Sequence, residues 1–142
     1  MIMEFNSIED AIKFAIEKEQ EAAAFYRQAV TQESLAVNQK VLEDFALEED
    51  KHAQMLHDFA ADPTAIGRYQ FQKITDLKRA DYMVEIDFQP GMGYYGVIRI
   101  AMKLEEKANK MYIKMAEAAE SEDTTNVFLI LAQEEMKHKK KL

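Results

Sequence analysis

The chain of 142 residues contains no cysteine, 4 glycines and 2 prolines. Without cysteine it cannot form a disulfide, use a thiol in catalysis or hold iron through thiolate ligands. The shortage of glycine and proline, with abundant Ala, Glu, Lys, Gln and Met, favours a mainly helical protein, because these residues lose little rotamer freedom in a helix. The length is about that of one domain, so we expect residues 1–142 to form a single domain.

Basic residues are also few, with 18 against 26 acidic residues and a net charge of −8. The sequence has no basic stripe with interleaved aromatic residues that could neutralise phosphates, which argues against a nucleic-acid partner. No window reaches the roughly 18 apolar residues of a membrane span. Residues 1–5 lack the basic start and long apolar run of a signal peptide. We therefore expect a cytoplasmic protein that binds neither nucleic acid nor a membrane.

Apolar residues recur at steps of three and four in four segments, which is the spacing of a helix face that packs against its neighbours. We predict helices over about residues 6–33, 34–60 and 94–120, and a fourth from a turn at 121–125 to residue 142. Asn6 or Ser7 would cap the first helix and Ser34 the second. Between the second and third helices, residues 61–89 have too little regular pattern for another long helix. We predict that they form a crossover connection in an all-α four-helix bundle, with a short helix over 74–84 and Tyr82 facing inward.

The chain contains an internal repeat. An offset of 86 residues superposes Glu19 on Glu105 and Glu49 on Glu135, so that the same 30 residues separate the two glutamates in each half. The offset also superposes tyrosines 26 and 112, and histidines 52 and 138. We interpret the halves, about 6–60 and 94–142, as copies of one helix pair, which predicts a bundle with pseudo-two-fold symmetry.

Six ionisable residues interrupt the apolar stripes at positions that should be buried: Glu19, Glu49, His52, Glu105, Glu135 and His138. An ionised carboxylate buried without a partner costs several kcal/mol, and four of them together would repel one another. In each Glu-x-x-His pair both side chains project from the same helix face. Four carboxylates and two imidazoles therefore predict a site for two metal ions, with iron preferred and manganese or zinc as alternatives. The competing interpretation, a solvated run of charges, would leave these side chains exposed.

Other polar residues are candidates for the surroundings of this site. Glu48 and Glu134 directly precede a ligand Glu and could accept the second imidazole N–H of a histidine in the opposite half; a surface role fits them equally well. Tyr26 and Tyr112 follow their stripe Glu by seven residues. They are interpreted either as core residues or as hydrogen-bond donors to a ligand carboxylate with a role in electron transfer. His57 lies outside the repeat and is expected at the surface.

On these residues the chain resembles the rubrerythrin-like branch of the ferritin-like di-iron carboxylate proteins. The resemblance rests on residues 19–26, on the phrase Phe-Ala-Leu-Glu-Glu-Asp-Lys-His at 45–52, on their counterparts in the second half, and on residues 76–78. It implies a ferritin-like bundle holding two iron ions. Two features depart from the family: Ala108 stands where peroxidase members carry a further ligand Glu, and the cysteine-rich rubredoxin domain that often accompanies them is absent from this sequence.

The leading functional hypothesis is a di-iron oxidoreductase that reduces hydrogen peroxide or dioxygen with electrons from an external donor protein. A second is a ferroxidase that oxidises Fe(II) for storage. A third is a metal-stabilised interaction module without catalysis. A bundle of this size with a short last helix is also expected to form a homodimer.

Overall fold

The computed structural model describes residues 8–61, 82, 84, 86–89, 91–118 and 122–141. These residues form four α-helices and contain no strand. The helices are α1 (Ile8–Gln32), α2 (Ala36–Ala61), α3 (Gly93–Ala118) and α4 (Glu122–Lys141). The prediction of an all-α chain with four helices is confirmed for the described residues.

The turn between α1 and α2 is held by Glu33 rather than by the predicted cap Ser34. The carboxylate of Glu33 accepts a hydrogen bond from the backbone N–H of Leu35 at 3.0 Å. The side-chain amide of Gln39 donates to the backbone carbonyl of Glu33 at 2.6 Å. Helix α2 begins at Ala36, within two residues of the predicted start.

The start of α3 depends on two glycines. Gly91 and Gly93 have φ angles of 82° and 83°, in the left-handed region that residues with a Cβ rarely adopt. A Cβ at either position would meet no atom within 4 Å, so backbone conformation and not space requires glycine here. Helix α4 begins at Glu122, so residues 122–125, predicted as part of a turn, belong to the helix.

The helices pack mainly as two pairs, α1 with α2 and α3 with α4, and α1 also contacts α3. Two clusters of buried apolar residues fill the bundle. One includes Ile12, Leu56, Tyr112, Met115, Phe128 and Leu131. The other includes Phe25, Tyr26, Leu42, Phe45, Ile100 and Leu104. Most of these residues lie on the apolar faces that the spacing of three and four predicted. Phe59 of α2 and Ile98 of α3 lie near the ends of the same faces and are only half-buried.

Most of the predicted crossover lies outside the described residues, as do the predicted caps Asn6 and Ser7. Within the segment, Tyr82 is buried at 7 % exposure and joins the first apolar cluster, so its inward orientation is confirmed. Among the described helices, none combines the length and apolar character that crossing a membrane requires.

Candidate metal centre

The six residues predicted to bind metal come together in the interior of the bundle. Their exposure lies between 1 % and 3 %, which rules out a solvated run of charges. Each helix of the first pair contributes to the group, and the second pair repeats the pattern. Helix α1 supplies Glu19, α2 supplies Glu49 and His52, α3 supplies Glu105, and α4 supplies Glu135 and His138.

These side chains form two overlapping sets of possible ligands. In one, Glu19 and His52 join Glu49 and Glu135; in the other, Glu105 and His138 join the same two glutamates. Within each set, one ligand atom per residue lies within 4.8 Å of all the others. Two cations held in these sets would share Glu49 and Glu135, so these carboxylates are placed to bridge them, and the four carboxylates would balance the charge of two divalent ions.

Each histidine directs Nδ1 towards carboxylates from both halves of the chain. His52 Nδ1 lies 3.1 Å from Glu135 Oε1 and 3.5 Å from Glu19 Oε2. His138 Nδ1 lies 3.0 Å from Glu49 Oε1 and 3.5 Å from Glu105 Oε2. The two imidazole rings stack at 14° with their centroids 5.4 Å apart. Nδ1 is therefore the nitrogen that faces the carboxylates, and the pseudo-two-fold relationship extends to individual atoms.

The two tyrosines also connect the halves. The hydroxyl of Tyr26 donates to Glu105 Oε1 at 2.7 Å, and that of Tyr112 donates to Glu19 Oε1 at 2.6 Å. A hydrogen bond from each tyrosine to a predicted ligand carboxylate is thus present. Its acceptor is the glutamate of the opposite half, not the one seven residues earlier in the same stripe.

The second oxygen of each of these glutamates supports the assignment of a cation site. Glu19 Oε2 and Glu105 Oε2 are buried and have no hydrogen-bond partner. A histidine Nδ1 lies 3.5 Å from each, which is long for a hydrogen bond. An unpaired buried carboxylate oxygen costs roughly 1–3 kcal/mol or more. A metal ion at this point would give both oxygens a partner, so the residues present fit a pair of cations.

The pKa values of the four buried carboxyl groups shift in opposite directions. Burial raises the pKa of Glu49 and Glu135 well above 4.5, and the negative charge of Glu19 adds to the effect. Burial acts in the same direction on Glu19, but the adjacent side chains of Glu49 and His52 outweigh it and lower the pKa of Glu19 to about 2. Glu105 follows the same pattern, with burial opposed by the adjacent side chains of Glu135 and His138 and a lowered pKa. Without a cation, the site limits repulsion by keeping protons on Glu49 and Glu135.

Glu48 and Glu134 lie at the histidine side of the centre. An oxygen of each lies within 4.8 Å of a ring nitrogen of both His52 and His138. Both carboxylates are half-buried and accept hydrogen bonds of 3.3 Å from the lysine three residues later in the same helix, Lys51 or Lys137. Their position suits a partner of the imidazoles, and a role in orienting the rings stays a prediction. His57 is exposed, as expected.

A small cavity adjoins the centre on the side of the glutamates. Its volume is about 20 Å³, enough for a molecule of the size of water. All four glutamates line it, together with Lys18, Ala22, Tyr82, Val84, Leu104, Ala108 and Met111. Ala22 and Ala108 are equivalent in the repeat, and their small side chains leave this space beside the carboxylates. The sequence analysis did not anticipate the cavity, because residues from all four helices and from the segment between α2 and α3 form it.

One buried polar residue near the centre was also missed. Asn109 is 8 % exposed, and its side-chain amide donates to the backbone carbonyl of Ala132 at 2.6 Å. This bond ties α3 to α4. The signal in the sequence is weak, because the equivalent residue of the first half is Ala23 and the repeat therefore does not mark the position.

Comparisons of the chain with protein-family models, curated proteins and solved structures gave no match. The chemistry of the buried centre is therefore the basis for the function proposed next.

Proposed function

We propose that the chain is a rubrerythrin-like di-iron oxidoreductase that reduces hydrogen peroxide or dioxygen with electrons from an external donor protein. The main support is the pair of buried ligand sets that share Glu49 and Glu135, each set having one unpartnered carboxylate oxygen directed into it. Three carboxylates and one imidazole per ion are hard ligands suited to iron, with manganese or zinc as alternatives.

A ferritin-like topology is part of this proposal, and the tyrosine contacts support it. Residue 26 pairs with 105 and residue 112 with 19, which is the order expected if α1 and α3 run antiparallel. Helix α2 follows α1 after a three-residue turn and so runs antiparallel to it as well. Helices α2 and α3 are then parallel, as a ferritin-like topology requires.

The chain's own residues would carry out binding, orientation and exclusion of water. Glu49 and Glu135 would bridge the two ions, while Tyr26 and Tyr112 fix one oxygen of Glu105 and Glu19 and leave the other for metal. Burial raises the pKa of both tyrosines well above 10, so their hydroxyls stay protonated and remain donors. Two ferrous ions, when bound, would supply the two electrons that convert one peroxide and two protons into two waters.

The cavity supports a small oxidant as the substrate. A volume of about 20 Å³ beside the four glutamates accommodates a molecule of a few atoms. These 142 residues contain no cysteine and so cannot themselves hold a thiolate-bound electron relay.

Stopped-flow oxidation tests the proposal. The protein is loaded anaerobically with two Fe(II) per chain and mixed with peroxide, and free Fe(II) in the same buffer serves as the reference. We expect the loaded protein to be oxidised faster and to return to the ferrous state when a reductant is added. Oxidation no faster than that of free Fe(II) would refute a peroxidase function, and uptake of many iron equivalents per chain would instead support the ferroxidase.

A further inference from the structure

On the histidine side of the metal centre, two further carboxylates converge on the two imidazoles. Glu48 of α2 and Glu134 of α4 each offer one oxygen, and these two oxygens lie within 4.8 Å of one another and of a ring nitrogen of both His52 and His138. Two carboxylates from different helices repel one another at this distance. Their convergence on two nitrogen ligands therefore favours a divalent cation between them.

Exposed lysines are the partners of these two carboxylates within their own helices. Lys51 donates to Glu48 and Lys137 donates to Glu134, both at 3.3 Å. The two lysine side chains are 72 % and 65 % exposed. Ion pairs of exposed side chains three residues apart on a helix contribute little to stability. A divalent cation can therefore replace either lysine at small cost.

Each histidine ring has a second nitrogen for such a cation. Within the described part of the chain, the hydrogen bonds and ion pairs of His52 and His138 are all formed by Nδ1, which faces the inner carboxylates. A neutral imidazole carries a hydrogen on one nitrogen and a lone pair on the other. When Nδ1 donates its hydrogen to an inner carboxylate, the lone pair lies on Nε2. One ring cannot offer a lone pair to an inner and an outer ion together, so the outer position suits temporary occupation.

A groove leads to this outer position from the surface. Its volume is about 590 Å³, and its walls include Asp44, Leu47 and Glu48 of α2 and His138 of α4. Asp44 and Leu47 are exposed, so the groove opens to solvent. The cavity on the glutamate side measures only about 20 Å³, and the cationic residue Lys18 forms part of its wall. A divalent ion that carries several waters fits the groove and not the cavity.

We propose that divalent metal enters the centre from the histidine side, and that Glu48, Glu134 and the two imidazoles bind each ion on the way. The outer carboxylates and Nε2 hold the ion first. As it moves inward, Nδ1 loses its hydrogen as a proton and becomes the ligand, while Nε2 takes up a proton from solvent, so each ring stays neutral. Glu48 or Glu134 then accepts a hydrogen bond from Nε2. This route rests on the metal centre of the proposed function but not on its reaction with peroxide.

Loading with Co(II) tests the route, because Co(II) binding needs no oxidant and is followed by its visible absorption. Metal-free protein is mixed with Co(II) in a stopped-flow instrument, and loaded protein is mixed with excess chelator to measure release. In the double variant Glu48→Gln/Glu134→Gln we expect loading to slow roughly tenfold or more. Release should slow by a similar factor, because a ligand on the route assists passage in both directions. The final stoichiometry should stay at two Co(II) per chain.

A matched control removes the same charge elsewhere on α2. Glu43→Gln/Asp58→Asn changes two exposed residues and should load at the wild-type rate. Leu47→Trp keeps every charge but narrows the groove, so it should also slow loading. Far-ultraviolet circular dichroism should show the same helix content in all variants.

Two results would overturn the proposal. If Glu48 and Glu134 only orient the rings, their double variant should load at the wild-type rate and release Co(II) faster, which weakens binding at equilibrium. If long-range attraction alone draws the metal in, the control should slow as much as the double variant. Neither result depends on peroxide, so the failure of this route is distinguishable from the failure of the proposed oxidoreductase.

Discussion

Tyr112 on α3 donates a hydrogen bond of 2.6 Å to Glu19 on α1, a residue 93 positions earlier in the chain. This contact holds one oxygen of Glu19 and leaves the other directed into the metal centre without a partner. The phenol thus determines which atom of the carboxylate is available to a cation. We expect both the stability of the fold and the binding of metal to depend on this difference between the two oxygens.

Removal of the phenolic hydroxyl should therefore weaken the fold and disturb the centre. Tyr112→Phe leaves Glu19 Oε1 buried without its donor, and we expect a loss of about 1–3 kcal/mol in the free energy of unfolding. Urea denaturation of the metal-free protein measures this loss. Tyr95→Phe is a matched control, because Tyr95 is 86 % exposed and its variant should unfold at the wild-type urea concentration. Equal stability of the two variants would contradict the importance of the contact.

The two types of glutamate should differ in their effect on metal stoichiometry. Glu49 belongs to both ligand sets, whereas Glu19 belongs to one. We expect two tightly bound metal ions per wild-type chain, about one in Glu19→Gln and fewer than one in Glu49→Gln, as measured by elemental analysis after dialysis. Glu43→Gln, at an exposed position of the same helix, is the control and should retain two. A stoichiometry of two in Glu49→Gln would show that this carboxylate does not bridge.

The same variants distinguish a redox centre from a purely structural one. If the metal only stabilises an interaction module, Glu49→Gln and Glu135→Gln should lower the melting temperature in the presence of metal, and the wild-type chain should show no peroxide-dependent oxidation above that of free iron. For a redox centre, we expect both the stabilisation and the oxidation to be lost together in these variants.

The pKa shifts predict how the stability of the metal-free protein depends on pH. The raised pKa values of Glu49, Glu135 and His52 mean that the folded protein keeps protons that the unfolded chain releases. Their contribution is present below the ordinary values of 4.5 and 6.5 and is lost as the pH rises through the raised values. The lowered pKa of Glu19, about 2, acts in the opposite sense, and its contribution is lost as the pH falls below 4.5.

Together these shifts place the maximum stability of the metal-free protein at mildly acidic pH. Melting temperatures measured in the presence of a chelator should fall between pH 5 and pH 8. With a saturating divalent metal the trend should reverse, because metal displaces the protons and binds more tightly as the pH rises. A metal-free melting temperature that increases steadily over this range would contradict the protonation of Glu49 and Glu135.

Filling the cavity should slow the reaction while the metal stays bound. Ala108 lines the cavity, and Ala108→Val would occupy much of its volume of about 20 Å³. We expect two metal ions per chain, a stability lower by about 1–3 kcal/mol through overpacking, and oxidation by peroxide slowed at least about tenfold. Ala24→Val, at an exposed position on α1, should leave the oxidation rate unchanged. A wild-type rate in Ala108→Val would mean that the oxidant reaches the centre by another route.

The buried residues that could hold a metal were predictable from the sequence, because charged residues are unusual at positions expected to be buried. Glu49 and His52 interrupt an apolar stripe, and the repeat shows the same interruption at Glu135 and His138. Such a pattern is destabilising in a packed core unless a cation compensates it. The four helices followed from the same periodicity.

Features that depend on how the helices meet could not be predicted in this way. The acceptor of each tyrosine is set by the antiparallel alignment of α1 and α3, which residue spacing within one helix does not encode. The sequence predicted a cap by Ser34 for α2, whereas in the structure Glu33 holds this turn by accepting from the backbone N–H of Leu35. Asn109 bonds to a backbone carbonyl of another helix, so nothing in its own segment indicates the partner.

Four contacts that complete the buried centre pass between the first and second halves of the chain: each tyrosine and each histidine reaches a glutamate 79 to 93 positions away. A fragment holding only α1 and α2 would contain three of the four residues of one ligand set and one of the four of the other, so it could complete neither. Two separately produced fragments should accordingly recombine only as complementary partners, and added metal should drive that reassembly.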